Sequence, residues 1–356
     1  MSLIAIPADE VIRRWAEFDT VIDARSEGEY DEDHLPGAVN WPTLNNAERI
    51  AVGTTYKQVN AFEAKKMGAA IAARNISRHI ERDVMDKSKD WKPLTYCWRG
   101  GKRSGSLSLV LDQIGFRVTL VEGGYKAFRA ALVRDIPRLA ALFDWRVICG
   151  TTGSGKTRLL QALAAAGGQV LDLEALANHR SSVLGAIPGL AQPTQKRFDT
   201  LIWDKLRTLD PTRPVFVESE SKKVGNVAVP VSLIEAMRAG TCLNLILSDA
   251  QRVQLLMEDY DFFVQNHEFF CDRLDALKEI RGKAVVDAWK ALVRSGGIET
   301  VVQDLLTQHY DPVYIQSMQR NFQGFPAAKE LRPESRAAEA FSRVAKDLVI
   351  DTQRTV

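Results

Sequence analysis

The segment Gly150-Thr151-Thr152-Gly153-Ser154-Gly155-Lys156-Thr157 constrains the fold of this chain more than any other. It follows the apolar run Trp145-Arg146-Val147-Ile148-Cys149 and precedes Leu159, Leu160 and Leu163 at helical spacing, so it specifies a strand, a tight glycine loop and a helix. In such a turn the backbone N–H groups converge on a diphosphate, the Lys156 ammonium neutralises the terminal phosphate oxygens, and the Thr157 hydroxyl is placed to bind Mg²⁺. The motif leaves open which diphosphate is bound. Val170-Leu171-Asp172-Leu173, Val215-Phe216-Val217-Glu218 and Leu243 to Leu247 read as the next strands, which predicts a parallel α/β sheet. Either Glu218 or Glu220, at the acidic end of the second of these, is a candidate to order Mg²⁺ or water.

A second anion cradle lies about fifty residues earlier. The strand-like Leu94-Thr95-Tyr96 runs into Cys97-Trp98-Arg99-Gly100-Gly101-Lys102-Arg103-Ser104, and Leu107, Leu111 and Ile114 then recur at helical spacing. A helix N-terminus and nearby cations favour the thiolate, the reactive form of cysteine, which makes Cys97 the candidate catalytic residue. Gly100 and Gly101 let the loop curl with N–H groups facing inward, while Arg99, Lys102 and Arg103 add positive charge. Such a bowl suits a tetrahedral oxyanion or a sulfur or selenium anion. Asp23 and Arg25 are expected to form a structural ion pair, and His34 to orient the turn before Pro36-Gly37. Cys149, Cys242 and Cys271 sit in apolar settings without CxxC spacing and read as small buried hydrophobes.

The 356 residues allow two or three domains, with divisions expected at 1–135, 136–260 and 261–356. The first is α/β, with a strand at Thr20-Val21-Ile22-Asp23 and a helix over about 60–80. A connecting helix is expected over 130–144, and past about 250 the strand signals stop. Val285, Trp289, Leu292 and Val293, then Phe341, Val344 and Leu348, predict a helical C-terminal region. A net charge of +2 confines any nucleic-acid contact to local patches. Lys65, Lys66, Arg74 and Arg78, with Arg82, form one candidate; Arg281 and Lys283, with Lys290 and Arg294, form another. Met1 to Glu10 lacks the pattern of a signal peptide and no apolar run reaches membrane-spanning length, so the expectation is a cytoplasmic protein with no membrane partner.

Residues 1 to 130 resemble the rhodanese family through Asp23-Ala24-Arg25-Ser26, Glu29-Tyr30, His34-Leu35-Pro36-Gly37-Ala38, the strand entering Cys97, and Glu122-Gly123-Gly124-Tyr125. That resemblance implies a persulfide or perselenide on Cys97. The spacing from Cys97 to Arg103-Ser104 is also similar to that of cysteine-dependent phosphatases, which leaves phosphatase chemistry open and equally suits selenophosphate. Joined to Gly150–Thr157, Asp172-Leu173-Glu174, Ala177-Asn178-His179-Arg180, Gln192-Pro193-Thr194-Gln195-Lys196 and Glu218-Ser219-Glu220-Ser221, the pattern resembles the tRNA 2-selenouridine synthase family.

This second resemblance implies an N-terminal rhodanese-like α/β domain, a P-loop parallel-sheet α/β domain and a helical C-terminal region. It implies a transferase that geranylates the sulfur of a wobble 2-thiouridine with geranyl diphosphate, then replaces geranylthiol with selenium from selenophosphate. The diphosphate would lie in Gly150–Thr157 and selenophosphate near Cys97 and Arg99 to Arg103, with Cys97 either carrying selenium or only shaping the site. Trp98 is a candidate to stack on the base. The implied partners are tRNAs for Lys, Glu and Gln; no tightly bound cofactor is expected beyond Mg²⁺ as a candidate ion. The alternative is a P-loop NTPase or kinase with a rhodanese-like sulfur-carrier or regulatory module.

Overall fold

The computed structural model describes residues 3–180 and 185–354. It resolves into two units, Met1–Ile136 with Pro193–Asp204, and Pro137–Gln192 with Lys205–Val356.

In the first unit, β1 (Ile4–Ile6), β2 (Thr20–Asp23), β3 (Val39–Asn40), β4 (Pro93–Tyr96) and β5 (Thr119–Val121) form a sheet in the order β1-β5-β4-β2-β3. Every pairing is parallel, so each connection crosses over a face of the sheet. Burial on both faces explains why β4 is buried along its whole length. The helix Lys102–Ile114 seats Leu107 and Leu111 in the core shared with Ile22 and Phe116, and stops at Gly115 in the left-handed region. The long helix Ala61–Asp83 lies where helical spacing predicts one. The connecting helix begins earlier than expected, at Gly124, and ends at Ala140 with Pro137 inside its last turn.

The segment Pro193–Asp204 lies in the sequence among second-unit residues yet packs with the first unit. The Trp203 ring is fully buried, meets Phe128 and Trp15 edge-on, and donates from Nε1 to Asp135 Oδ2 at 2.8 Å. Thr194 Oγ1 donates to the Glu32 carbonyl at 2.6 Å and Thr200 Oγ1 to Asp33 Oδ2 at 3.0 Å. A single division near residue 135 therefore misses this excursion.

The second unit holds β6 (Trp145–Cys149), β7 (Gln169–Leu171), β8 (Val215–Glu218), a small hairpin of β9 (Lys223–Val224) and β10 (Val227–Ala228), then β11 (Thr241–Leu245) and β12 (Lys329–Leu331). The main sheet runs β12-β11-β6-β8-β7, all parallel. The chain leaves β6 toward one edge and returns to its other side, so the crevice at a switch in strand order opens at the end of β6. The α/β class read from the sequence holds, and the C-terminal region is rich in helices.

That region is not helical throughout, however. Its strand β12 extends the sheet, and the helix Ala338–Arg354 shares the apolar core of the phosphate-loop helix Lys156–Ala165 through Phe341, Ala345, Leu348 and Val349. Between β11 and β12 the helices from Asp249 to Asn321 enclose a second core that includes Phe263, Phe270, Trp289 and Val301. Among the described residues no helix is long and apolar enough to cross a membrane.

Phe341 is 1% exposed, and a Cβ added at Gly155, whose φ is +88°, would lie 2.4 Å from its ring. The ring therefore closes the underside of the phosphate loop. Phe341→Ala is expected to destabilise this unit by about 3–5 kcal/mol, read as a fall in its urea unfolding midpoint; an unchanged midpoint would show that the contact contributes nothing.

Candidate functional site

In the first unit Cys97 follows the central strand β4 directly, and its buried Sγ accepts a hydrogen bond from Ser104 Oγ at 3.1 Å. The Cys97 carbonyl accepts from the Tyr125 N–H at 2.8 Å and the Trp98 carbonyl from the Lys126 N–H at 3.0 Å. Gly124 makes this lock possible: its φ is +59°, and a Cβ there would stand 2.2 Å from the Cys97 carbonyl oxygen. The backbone below the thiol is therefore fixed from both sides.

The three cations expected around the thiol have different roles. Arg99 and Lys102 are exposed. Arg103 instead donates from Nη1 and Nη2 to the two oxygens of Glu29, at 2.6 and 3.0 Å. Burial pushes Glu29 up, but the Arg103 guanidinium and the Ser26 cap outweigh it and hold the carboxyl at about 2. The Arg103 charge is thus compensated in place.

Asp23 and Arg25 form the expected buried pair, with Arg25 Nη2 2.6 Å from Asp23 Oδ2, and the Tyr96 hydroxyl donates to the same carboxylate oxygen at 2.7 Å. The Arg25 guanidinium lies 4.1 Å from the Tyr125 ring centre, and Tyr125 stacks on Trp98 with centroids 5.4 Å apart. One face of Trp98 is therefore already in use. His34 meets the Tyr30 carbonyl through Nδ1 at 2.9 Å and stacks on its ring, and burial lowers its proton affinity. Its contact is with the preceding helix, upstream of the turn at Pro36-Gly37.

In the second unit Gly150–Thr157 curls from β6 into the helix Lys156–Ala165. Lys156 Nζ donates to the carbonyls of Gly150 at 3.0 Å and Thr151 at 3.4 Å, and the Thr157 hydroxyl donates to Glu174 Oε2 at 3.4 Å. Arg252 is buried and holds the loop from behind. Its Nε and Nη2 donate to the Thr152 carbonyl at 3.0 and 2.8 Å, and its Nη2 pairs with Asp311 Oδ1 at 2.5 Å. In front opens a cleft with about 1370 Å³ of empty space, lined by Lys156, Thr157, Asp172, Glu174, His179, Arg180, Glu218 and Tyr314 among others.

Thr152 Oγ1, Ser154 Oγ and Glu218 Oε1 are buried without a hydrogen-bond partner. Unpaired buried polar atoms are costly, and their concentration at a phosphate loop marks a site shaped for a polar ligand. Glu174, Glu218 and Glu220 bring carboxylate oxygens within 4.8 Å of one another. Burial raises the proton affinity of Glu218 well above the usual carboxylate range, and the neighbouring Glu174 raises it further. Hard oxygen donors beside Thr157, one of them unpaired, fit a divalent cation such as Mg²⁺.

Lys65, Lys66, Arg74 and Arg78 are exposed on the helix Ala61–Asp83, where Lys66 pairs with Glu63 at 2.7 Å and Arg74 with Glu48 at 3.1 Å. Such exposed pairs are weak and yield readily to a phosphate. Lys283 is exposed, whereas Arg281 donates to His309 Nδ1 at 3.1 Å and to the Gln308 carbonyl. Cys149, Cys242 and Cys271 are buried free thiols. Sequence reasoning assigned no role to Arg252 and Tyr314, which come from helices with no local motif, or to Tyr260, which lies at the junction of two helices; Glu174 was visible only as part of a motif.

The family model of the tRNA 2-selenouridine synthase AAA domain matches residues 143–282, and that of the rhodanese-like domain matches residues 8–131. The tRNA 2-selenouridine synthase of Nitrosomonas eutropha is 32% identical over 88% of this chain and 92% of its own length. That of Nitrosomonas europaea is 37% identical over 67% of this chain, which spans 63% of that relative's length. A rhodanese-like domain protein from Staphylococcus aureus, solved by crystallography, is 19% identical over 35% of this chain and 90% of its own, with a TM-score of 0.23.

Two substitutions test these electrostatics. Glu29 has a depressed folded value, so its stabilisation is present above the unfolded carboxylate value of about 4.3 and is lost as pH falls toward about 2. Glu29→Gln is expected to cost about 2 kcal/mol near neutral pH, because it strands Arg103. The gap from wild type should narrow across that acid window in urea titrations; a gap independent of pH would contradict the assignment. Glu218 has the opposite sign. Its folded form binds the proton more tightly, so stability present below the unfolded value is lost as pH rises through the raised one. Glu218→Gln should flatten the decline in Tm as pH rises above the ordinary carboxylate range, and identical slopes would mean that Glu218 ionises freely.

Proposed function

Because this chain belongs to the tRNA 2-selenouridine synthase family, we propose that it is a transferase replacing the sulfur of a wobble 2-thiouridine in tRNA with selenium. The reaction runs in two steps. In the first, the thiocarbonyl sulfur attacks C1 of geranyl diphosphate. The C1–O bond breaks, its electron pair leaves on diphosphate, and the N3 proton of the base passes to solvent. Gly150–Thr157 receives the leaving diphosphate: its N–H groups and Lys156 stabilise charge that grows as the bond breaks. A divalent cation held by Glu174, Glu218 and Glu220 would supply further neutralisation of that diphosphate.

In the second step selenium from selenophosphate attacks C2 of the base. The C2–S bond breaks and geranylthiolate leaves and takes a proton; water then cleaves the Se–P bond to release phosphate. The Cys97 loop holds the selenium donor, with the exposed Arg99 and Lys102 attracting the anion. The substrates are tRNAs for Lys, Glu and Gln in the cytoplasm. Lys65, Lys66, Arg74, Arg78 and Lys283 supply phosphate contacts, and the remaining face of Trp98 offers a stacking surface for the extruded base.

The observation that carries this reading is the phosphate loop itself, with buried unpaired oxygens at Thr152 and Ser154 and a lysine whose hydrogen bonds go to the neutral carbonyls of Gly150 and Thr151. Mass spectrometry of nucleosides from thiolated tRNA, incubated with geranyl diphosphate and selenophosphate, separates the steps. Lys156→Ala should reduce geranylation about 10²–10³-fold, whereas Cys97→Ala should geranylate normally and fail to insert selenium. Loss of the same step in both variants would refute this division of labour. ATP or GTP hydrolysis that depends on Lys156 would instead favour an NTPase or kinase.

A further inference from the structure

The helices between β11 and β12 border a second space in the same unit. It is an apolar pocket of about 510 Å³, counted out to where it opens to solvent, walled by Leu256, Tyr260, Phe263, Val302 and Leu306. Three of its lining residues, Thr152, Leu256 and Tyr260, also line the cleft in front of the phosphate loop. The anion cleft and the apolar cavity therefore share a wall, and Thr152, itself part of the loop, stands in it with its buried hydroxyl unpartnered.

We propose that this cavity receives the isoprenoid chain of an allylic diphosphate whose diphosphate lies in Gly150–Thr157, and that its depth sets the chain length accepted. The inference rests on the reading of the phosphate loop given above and locates the other half of that substrate. Hydrocarbon suits the lining, which carries almost no group able to read the polar edge of a nucleobase. The far wall is a π-helical stretch, Leu305–Tyr310, of which Leu305, Leu306 and Tyr310 all line the cavity. Such widened turns recur at ligand sites because they re-aim side chains that a regular helix would stack. Arg180 lies with its guanidinium 4.5 Å from the Tyr260 ring centre and lines the cleft, so the shared wall has an apolar side and a cationic side. An amphiphile with an anionic head and an apolar tail matches that division.

Calorimetric titration of the full chain with inorganic, dimethylallyl, geranyl and geranylgeranyl diphosphate tests this. Geranyl diphosphate should bind about tenfold or more tighter than the dimethylallyl compound, and geranylgeranyl diphosphate should gain nothing further. Val302→Trp, which fills the cavity, should weaken geranyl diphosphate about tenfold or more while binding inorganic diphosphate like wild type. Wild-type affinity indifferent to the tail, or Val302→Trp binding geranyl diphosphate unchanged, overturns the inference and leaves the phosphate-loop reading standing. If the variant also loses inorganic diphosphate, the chain-length series on the wild type decides alone. Failure of every diphosphate to bind wild type overturns both readings.

Discussion

A parallel strand that ends at the head of a helix leaves backbone N–H groups without partners, and both candidate sites are built on that one consequence of chain geometry. β4 runs through the Cys97 loop into Lys102–Ile114, and β6 through Gly150–Thr157 into Lys156–Ala165. In each case the strand is interior to an all-parallel sheet, so the loop emerges over a rigid, doubly covered layer. Rigidity matters because a donor array stabilises a developing charge only if it need not reorganise when the charge appears.

Each loop is then held by contacts from distant parts of the chain. Gly124 lets the backbone after β5 pass directly beneath Cys97, and Glu29 fixes Arg103 at the edge of that loop. Arg252 and Phe341 support the phosphate loop, one by bonding its Thr152 carbonyl and one by packing under Gly155. An arginine that is already paired works as a brace, because its guanidinium has given up its strongest interaction. Arg103 and Arg252 are braces of this kind, which leaves Arg99 and Lys102 at the first loop, and Lys156 and Arg180 in the cleft of the second, among the cations able to meet an incoming anion.

Which of these features could be read in advance follows from their range along the chain. The glycine loops, the lysine and the thiol are local patterns, and each stands where strand and helix periodicity put it. Asp23 and Arg25 are two positions apart, and their pairing was legible for the same reason. Glu29 and Arg103 are 74 residues apart, so the compensation of a cation that looked available was invisible. β12, Lys329-Glu330-Leu331, is a short charged edge strand with no alternating pattern to betray it. Phe198, Ile202 and Trp203 signal an amphipathic helix face, but periodicity cannot say which core that face enters. The apolar cavity was illegible because its walls come from several helices whose apolar residues read only as core.

The phosphate-loop cleft also shows how opposite charges can be stored together without collapsing the site. Lys156 is satisfied by the neutral carbonyls of Gly150 and Thr151, bonds weaker than the charge-assisted ones it would make to phosphate oxygens. Glu218 favours its protonated form because burial and the neighbouring Glu174 outweigh the opposing charge of Lys156. A salt bridge between Lys156 and Glu218 would have neutralised both and removed the preference for ligand. Because the lysine is spent on carbonyls instead, an anion gains a cation at little cost, and a divalent cation entering with it would meet Glu218, which need only lose its proton. An anion that brought a divalent cation with it would meet both sides of the cleft, whereas a simple anion would meet only the cationic one.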